Sequence, residues 1–112
     1  MVIEDDPGIA GVLQIILEQR GCEVCICADG AIKDTDLKKG IDLIFLDYWL
    51  PKSTGDKIAR HLKKKNSTKK IPIVMMSALN NIDEVARTVG AEDYIQKPFA
   101  FDQLIHKVDK YL

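Results

Sequence analysis

Apolar residues along the chain alternate between short continuous runs and stripes that recur every three or four positions. The runs are typical of buried strands, and the stripes have the period of amphipathic helices. This alternation repeats five times and predicts an α/β domain with a parallel sheet. The predicted strands cover residues 2–4, 23–28, 41–47, 71–77 and 91–95.

The predicted helices follow these strands and are marked by capping signals. Asp6 and Pro7 are typical of a helix N-terminus. Residues 31–39 give only a weak helical pattern, whereas residues 83–89 predict a short helix that ends at Gly90. The apolar stripes expected to face the core are Ile9, Val12, Leu13, Ile16 and Leu17 in the first helix, and Phe101, Leu104, Ile105, Val108 and Leu112 in the last.

Length and composition are those of one globular domain, which we expect to cover residues 1–112. Of these residues, 46% are hydrophobic and 29% are charged. The formal net charge of −1 gives no global field toward nucleic acid, and no apolar run approaches the roughly 20 residues that cross a bilayer. We therefore expect a cytoplasmic protein without direct nucleic-acid or membrane binding. The lysine-rich run over residues 63–70 lacks interleaved aromatic residues and is interpreted as solvated surface.

Three cysteines lie close together, at Cys22, Cys25 and Cys27. Cys25 and Cys27 would share one face of a strand, where two neighbours are poorly placed for a disulfide. A zinc site would need a second pair of ligands, but His61 and His106 stand far away and alone. Reduced cysteines that pack as small hydrophobes are the favoured interpretation.

Unusual polar residues follow four of the predicted strands. Doubly wound sheets bind ligands outside the carboxyl ends of their strands, so these residues define the candidate site. If the first and third strands are neighbours, their carboxylates converge and repel one another unless a cation is bound, and such oxygen ligands suit Mg²⁺. The residues at these strand ends are Glu4, Asp5, Asp6, Asp47, Ser77 and Lys97.

These residue types together point to phosphoryl transfer. Aspartate is a covalent acceptor in such reactions, and Asp47 at the end of the most apolar strand is the natural nucleophile. Lys97 could pair with this carboxylate or with a phosphoryl oxygen, and the Ser77 hydroxyl could donate a hydrogen bond to the added group. Asp6, next to Pro7, is interpreted as a helix cap rather than a site residue.

The ordered set of motifs resembles the receiver domains of two-component response regulators over essentially the whole chain. The matching pieces are Glu4-Asp5, Asp47 followed by Pro51 and Gly55, Ser77-Ala78, and Lys97-Pro98. The resemblance implies a flavodoxin-like, doubly wound sheet of five parallel strands in the order 2-1-3-4-5, with helices on both faces. In this family the second helix usually carries an Ala-Leu pair where this chain has Lys33 and Asp34, so an irregular second helix is expected.

The resemblance also implies a role for each site residue. Asp5 would bind Mg²⁺ or Mn²⁺ directly, Glu4 would bind it through water, and the remaining ligands would be Asp47 and the backbone carbonyl of Trp49. Asp47 would be the phosphoacceptor, assisted by Lys97 and Ser77. The Lys97-Pro98 bond is expected to be cis, and Ser77 and Tyr94 are expected to move as a switch when Asp47 is phosphorylated.

The implied donor is a sensor histidine kinase or a histidine phosphotransfer protein, which would dock beside the first helix. The face formed by helix four, strand five and helix five is expected to pair with a second copy or an output partner. Such a domain is not an enzyme in the ordinary sense, although it catalyses its own phosphorylation and dephosphorylation. No output segment follows the last predicted helix, which fits both a stand-alone regulator and a piece of a larger protein.

Two other classes of protein share this fold. A flavin-binding protein would need a hydroxyl- and glycine-rich phosphate loop after the first strand, where Glu4, Asp5 and Asp6 would instead repel phosphate. A pseudo-receiver that acts only as a protein-interaction module is the stronger alternative, because the fold survives the loss of the chemistry. Such proteins usually lack an acid or the lysine, and this chain retains them.

Overall fold

A computed structural model describes all 112 residues, in which five strands and five helices alternate along the chain. All strand pairs are parallel, and the sheet order is β2-β1-β3-β4-β5, as predicted. The strands are β1 (Val2–Ile3), β2 (Ile26–Cys27), β3 (Ile44–Asp47), β4 (Ile73–Ser77) and β5 (Asp93–Gln96). The helices are α1 (Pro7–Gln19), α2 (Asp34–Leu37), α3 (Gly55–Lys64), α4 (Ile82–Val89) and α5 (Phe101–Tyr111).

The central strand β3 shows how the sheet separates two cores. Its residues are all buried, and successive side chains point to opposite faces. Ile44 and Leu46 pack in the core beneath α3 and α4, whereas Phe45 packs in the core beneath α1 and α5. A strand covered on both faces must be apolar throughout, which explains the continuous run that predicted it.

The predicted caps are confirmed. Asp6 precedes α1, and its Oδ1 accepts hydrogen bonds from the backbone N–H groups of Gly8 at 2.8 Å and Ile9 at 3.2 Å. Gly90 ends α4 with a φ of 82°, a left-handed conformation that glycine adopts without steric cost. None of the five helices is both long enough and apolar enough to span a membrane.

The predicted strands and α2 are longer than the observed ones. The run over residues 23–28 contributes only Ile26–Cys27 to the sheet, because β2 lies at the edge and its one neighbour, β1, is equally short. Residues 31–39 contain a helix of only four residues, which agrees with the expected irregularity.

All three cysteines are free thiols, and burial raises the pKa values of Cys25 and Cys27.

Some stripe residues predicted to face the core are exposed. Val12 is 41% exposed in α1, and Phe101 and Leu112 are 60% and 58% exposed at the two ends of the last helical segment. The buried stripe of α5 is narrow and centres on Leu104 and Val108. Val12, Phe101 and Leu112 lie at the margin or end of their helical segments, where no other helix or strand covers them. The sequence pattern therefore predicts a wider buried face than the structure has.

Lys63 contradicts the interpretation of the lysine-rich run as uniformly solvated. Its ammonium group donates to the backbone carbonyls of Ile71 at 2.9 Å and Lys69 at 3.2 Å, and it forms an ion pair with Glu92. These bonds connect the end of α3 to the following loop and to the segment before β5. Lys63 is therefore a structural residue, whereas most of its basic neighbours are exposed.

Asp93 fastens α5 to the edge strand β5. Its carboxylate accepts hydrogen bonds from Lys107 at 2.8 Å, from the Tyr111 hydroxyl at 2.9 Å and from Lys110 at 3.3 Å. Burial alone would raise the pKa of Asp93, but these donors and the N–H of Tyr94 stabilise the charged form and lower the pKa to about 2.

We expect Asp93→Asn to lower the free energy of unfolding at pH 7 by about 1 kcal/mol, since the carboxylate is partly solvated. A lowered pKa stabilises the fold above the ordinary value of 3.8, and this contribution is lost as the pH falls toward 2. Denaturant unfolding of both proteins at pH 7, 4 and 3 would measure the difference. A gap that stays constant with pH would contradict this account.

Candidate functional site

Three carboxylates meet at the carboxyl edge of the sheet. Asp47 is the last residue of β3, and Glu4 and Asp5 directly follow β1. Because β1 and β3 are adjacent, with Ile3 opposite Leu46, one oxygen from each carboxylate lies within 4.8 Å of the others. Glu4 and Asp47 are buried, whereas Asp5 is exposed to solvent. The predicted convergence of these acids is therefore present in the structure.

Lys97 approaches this cluster from the loop after β5. Its Nζ lies 2.7 Å from Glu4 Oε1 and 3.1 Å from Asp47 Oδ1. The backbone N–H of Lys97 donates to the carbonyl of Ser77 at 2.8 Å, which joins the ends of β4 and β5. The Lys97-Pro98 peptide bond is cis, as the family resemblance implied.

One ammonium group does not satisfy the buried acids fully. Burial, followed by the neighbouring Asp47 carboxylate, raises the pKa of Glu4 to about 7, even though Lys97 acts to lower it. Burial acts to lower the pKa of Lys97, but the two carboxylates outweigh this effect and raise it. Glu4 Oε2 is buried and has no hydrogen-bond partner.

The donor set fits a hard divalent cation. An orphaned carboxylate oxygen beside two further acids is a costly arrangement in a protein interior, and a cation that accepts oxygen ligands would relieve it. Glu4, Asp5 and Asp47 are the side chains that would hold Mg²⁺ or Mn²⁺, and the exposed Asp5 leaves the site open to water. The backbone carbonyl of Trp49 stays a predicted ligand.

The loop between β3 and α3 folds back tightly on the end of β3. The N–H of Gly55 donates to the carbonyl of Tyr48 at 2.6 Å, and Trp49 pairs with Thr54 as an isolated bridge. A Cβ atom at position 55 would lie 2.4 Å from the carbonyl oxygen of Asp47, so only glycine fits without displacing the backbone. Gly55 belongs to the motif spacing noted in the sequence, but the sequence alone gives no sign of this close approach.

Ser77 and Tyr94, the two residues of the predicted switch, lie on the neighbouring strands β4 and β5. Ser77 ends β4, and its hydroxyl accepts a hydrogen bond from the N–H of Leu79 at 3.1 Å, so it is held by its own loop. Tyr94 is 41% exposed on β5, with the ammonium of Lys107 6.0 Å from its ring centroid. Ala78 helps to line an apolar pocket of about 390 Å³, together with Ile9, Lys97, Pro98 and Phe99.

Fold and site together define a doubly wound domain with an acidic, lysine-paired centre at the carboxyl edge of its sheet. The model of the response regulator receiver domain matches residues 1–109. The chain therefore belongs to the receiver family of two-component response regulators.

Curated relatives agree with this assignment. The chain is 36% identical over 112 residues to the DNA-binding dual master transcriptional regulator RpaA of Synechocystis. The alignment covers 96% of this chain and 46% of RpaA. It is also 33% identical over 111 residues to the phosphate regulon transcriptional regulatory protein PhoB of Escherichia coli, and this alignment covers 96% of the chain and 48% of PhoB. The chain thus spans about half the length of these relatives.

Solved structures share the whole architecture. The receiver domain of NtrX from Brucella abortus superimposes with a TM-score of 0.84 at 32% identity, over 99% of this chain and 95% of that one. The receiver domain of Francisella response regulator 1452 gives a TM-score of 0.83 at 30% identity, over 98% and 92% of the two chains. Chemotaxis response regulator CheY4 of Vibrio cholerae, at 24% identity and a TM-score of 0.87 over 99% and 95%, supports the fold alone.

We expect Gly55→Ala to destabilise the domain by about 1–3 kcal/mol, since the added methyl group must displace the backbone of Asp47 and Tyr48. Gly11→Ala is the matched control, because a Cβ atom there has no neighbour within 4 Å and alanine favours the helix interior. Urea unfolding of the two variants measures both effects. Equal stability of the two variants would contradict the close approach inferred for Gly55.

Proposed function

We propose that Asp47 accepts a phosphoryl group with the help of Mg²⁺ or Mn²⁺, and that this reaction switches the domain between two states. The observation that carries the proposal is the convergence of Glu4, Asp5 and Asp47, with the ammonium group of Lys97 paired to Glu4 and Asp47. The donor that fits the family is a phosphohistidine of a sensor histidine kinase or a phosphotransfer protein. We also propose that residues 1–112 form one receiver domain that works in the cytoplasm.

In the proposed reaction, a carboxylate oxygen of Asp47 attacks phosphorus, the P–N bond to the donor histidine breaks, and its electron pair returns to the imidazole. Asp47 is positioned by the N–H of Tyr48, which donates to its Oδ1 at 3.0 Å, and by Lys97. A cation held by Glu4, Asp5 and Asp47 would supply positive charge to stabilise the phosphoryl oxygens. Lys97 already pairs with Asp47 and would contact a phosphoryl oxygen with little rearrangement.

The proposed switch starts from contacts that the structure shows. The Ser77 hydroxyl would leave the N–H of Leu79 and donate to a phosphoryl oxygen, since phosphorylation adds about −1.5 to −2 charge at this edge. Tyr94 would turn inward from its exposed position, which changes the face formed by α4, β5 and α5. We propose that this face meets a second copy or an output partner.

The donor is proposed to dock on the outer face of α1. Val12 and Ile15 are 41% and 58% exposed there, and Phe101 at the start of α5 is 60% exposed, so apolar contact area is available at the carboxyl edge and along α1. RpaA and PhoB are transcriptional regulators by name, and in a longer protein of that kind this domain would control such an output. No observation favours the alternative of a phosphorylation-independent module, because the acids and the lysine are all present.

We expect incubation with acetyl phosphate and Mg²⁺ to add one phosphoryl group, and Asp47→Ala to abolish the addition. The matched control is Asp42→Ala, which removes an exposed carboxylate at the opposite edge of the same sheet. Intact-mass spectrometry compares the three proteins. The absence of a mass gain in the wild type, or a gain that survives Asp47→Ala, would move the assignment to an interaction module.

We expect Asp5→Asn to weaken Mg²⁺ binding at least about tenfold, since even outer contacts to a metal ligand cost that much when removed. Asp5 is exposed, so the substitution does not disturb the core. Isothermal titration with Mg²⁺ measures the change, and Asp42→Asn serves as the control. Unchanged affinity in Asp5→Asn would exclude this carboxylate as a ligand.

A further inference from the structure

Charge is strongly segregated along the chain, although the net charge is only −1. Residues 57–70 contain seven of the sixteen lysines and arginines and none of the seventeen acidic residues. They cover most of α3 and the loop that follows it. Because no acid interrupts this segment, the near-neutral total conceals a local positive field.

The structure separates the members of this segment by their partners. Lys63 is occupied by Glu92 and two carbonyls, and Arg60 lies 3.7 Å from Asp56. The remaining five ammonium groups form no ion pair with a carboxylate, since Arg60 and Lys63 are the cations of this segment that do. We call these five residues the α3 basic face: Lys57, Lys64, Lys65, Lys69 and Lys70.

The α3 basic face is held in a fixed arrangement. Thr68 is buried, and its hydroxyl donates to the carbonyl of Leu62 at 2.6 Å, which ties the loop to α3. The N–H of Lys69 donates to the carbonyl of Lys65 at 2.8 Å, and Lys63 binds the carbonyl of Lys69. The loop lysines therefore stay beside the end of α3, which gathers like charges at fixed positions.

The chemistry around the face selects the partner. The large apolar side chains that are exposed elsewhere on the protein are absent between residues 55 and 72. The apolar side of α3, formed by Ile58, Ala59 and Leu62, is buried in the core. A protein interface needs aromatic or aliphatic anchors, and an interfacial membrane helix needs an exposed apolar side, so neither is provided. A phosphate backbone needs only cations.

We propose that the α3 basic face binds the phosphate backbone of double-stranded DNA without reading its sequence. Lys57 and Lys64 lie two helical turns apart on one side of α3, about 10 Å along the axis. The loop lysines extend the positive surface beyond the helix end. A duplex carries one negative charge per about 1.7 Å of its axis, so such a surface faces several phosphates at once. This activity is independent of the proposed phosphorylation of Asp47 and revises the expectation of no direct nucleic-acid binding.

The test is fluorescence anisotropy with two labelled 20-bp duplexes of unrelated sequence, between 20 and 200 mM salt. Equal affinity for both duplexes is expected. The logarithm of the binding constant should fall with the logarithm of salt concentration with a slope of about −3 to −4.5, for up to five neutralised phosphates. No binding at 20 mM salt, or a clear preference for one duplex, would overturn the proposal.

The variant Lys64→Glu/Lys69→Glu should weaken binding more than about tenfold and flatten the salt slope by about 2. Lys33→Glu/Lys38→Glu is the matched control, since it changes the net charge equally at two exposed lysines outside the face. Lys64→Gln/Lys69→Gln provides the same test without introducing negative charges that repel DNA. Its thermal midpoint, compared with that of the wild type, shows whether the variant is still folded. Equal weakening in the control pair would show that only net charge matters and would overturn the proposal.

Vesicles that contain phosphatidylserine provide the last comparison. Vesicle binding without duplex binding would assign the face to an anionic lipid surface instead and would overturn the proposal. Duplex binding that persists in Asp47→Ala is the expected result, because the face does not include the phosphoacceptor. A failure to bind DNA can therefore be told apart from a failure of Asp47 to accept a phosphoryl group.

Discussion

The mutual repulsion of three carboxylates governs the construction of the carboxyl edge of the sheet. Parallel pairing of β1 with β3 brings Glu4, Asp5 and Asp47 together, and two of them are buried where water cannot screen their charges. Lys97 offsets part of this repulsion but leaves one oxygen of Glu4 without a partner. The fold thus maintains an unsatisfied negative site that favours any cation or cation-assisted reaction able to relieve it.

The arrangement of the loops follows from the same requirement. Asp47 can be presented at the edge only if the chain leaves β3 abruptly, and the contact between Gly55 and Tyr48 produces that turn. Lys97 reaches the acids because its backbone is bonded to Ser77 at the end of the neighbouring strand. The polar site therefore depends on backbone hydrogen bonds between loops, while the two apolar cores keep the strands that carry those loops in register.

The order of elements and the convergence of the strand-end acids with Lys97 could be predicted from sequence, since periodicity and strand-end chemistry are local signals. The continuous run that ends at Asp47 is one example, because a parallel strand buried on both faces is apolar at successive positions. The exposure of Phe101 and the length of β2 could not be predicted in this way. Both depend on which neighbour is present in three dimensions, as do the partners of Lys63.

Trp49 gives the domain a built-in optical property. It is the only tryptophan of the chain, it lies two residues after Asp47, and the residue is 61% exposed. The ring meets that of Tyr48 edge to face, with centroids 4.8 Å apart, so its surroundings belong to the loop between β3 and α3. Its emission spectrum therefore originates from one place in the molecule, and changes in that loop could be followed in the native protein without an attached dye.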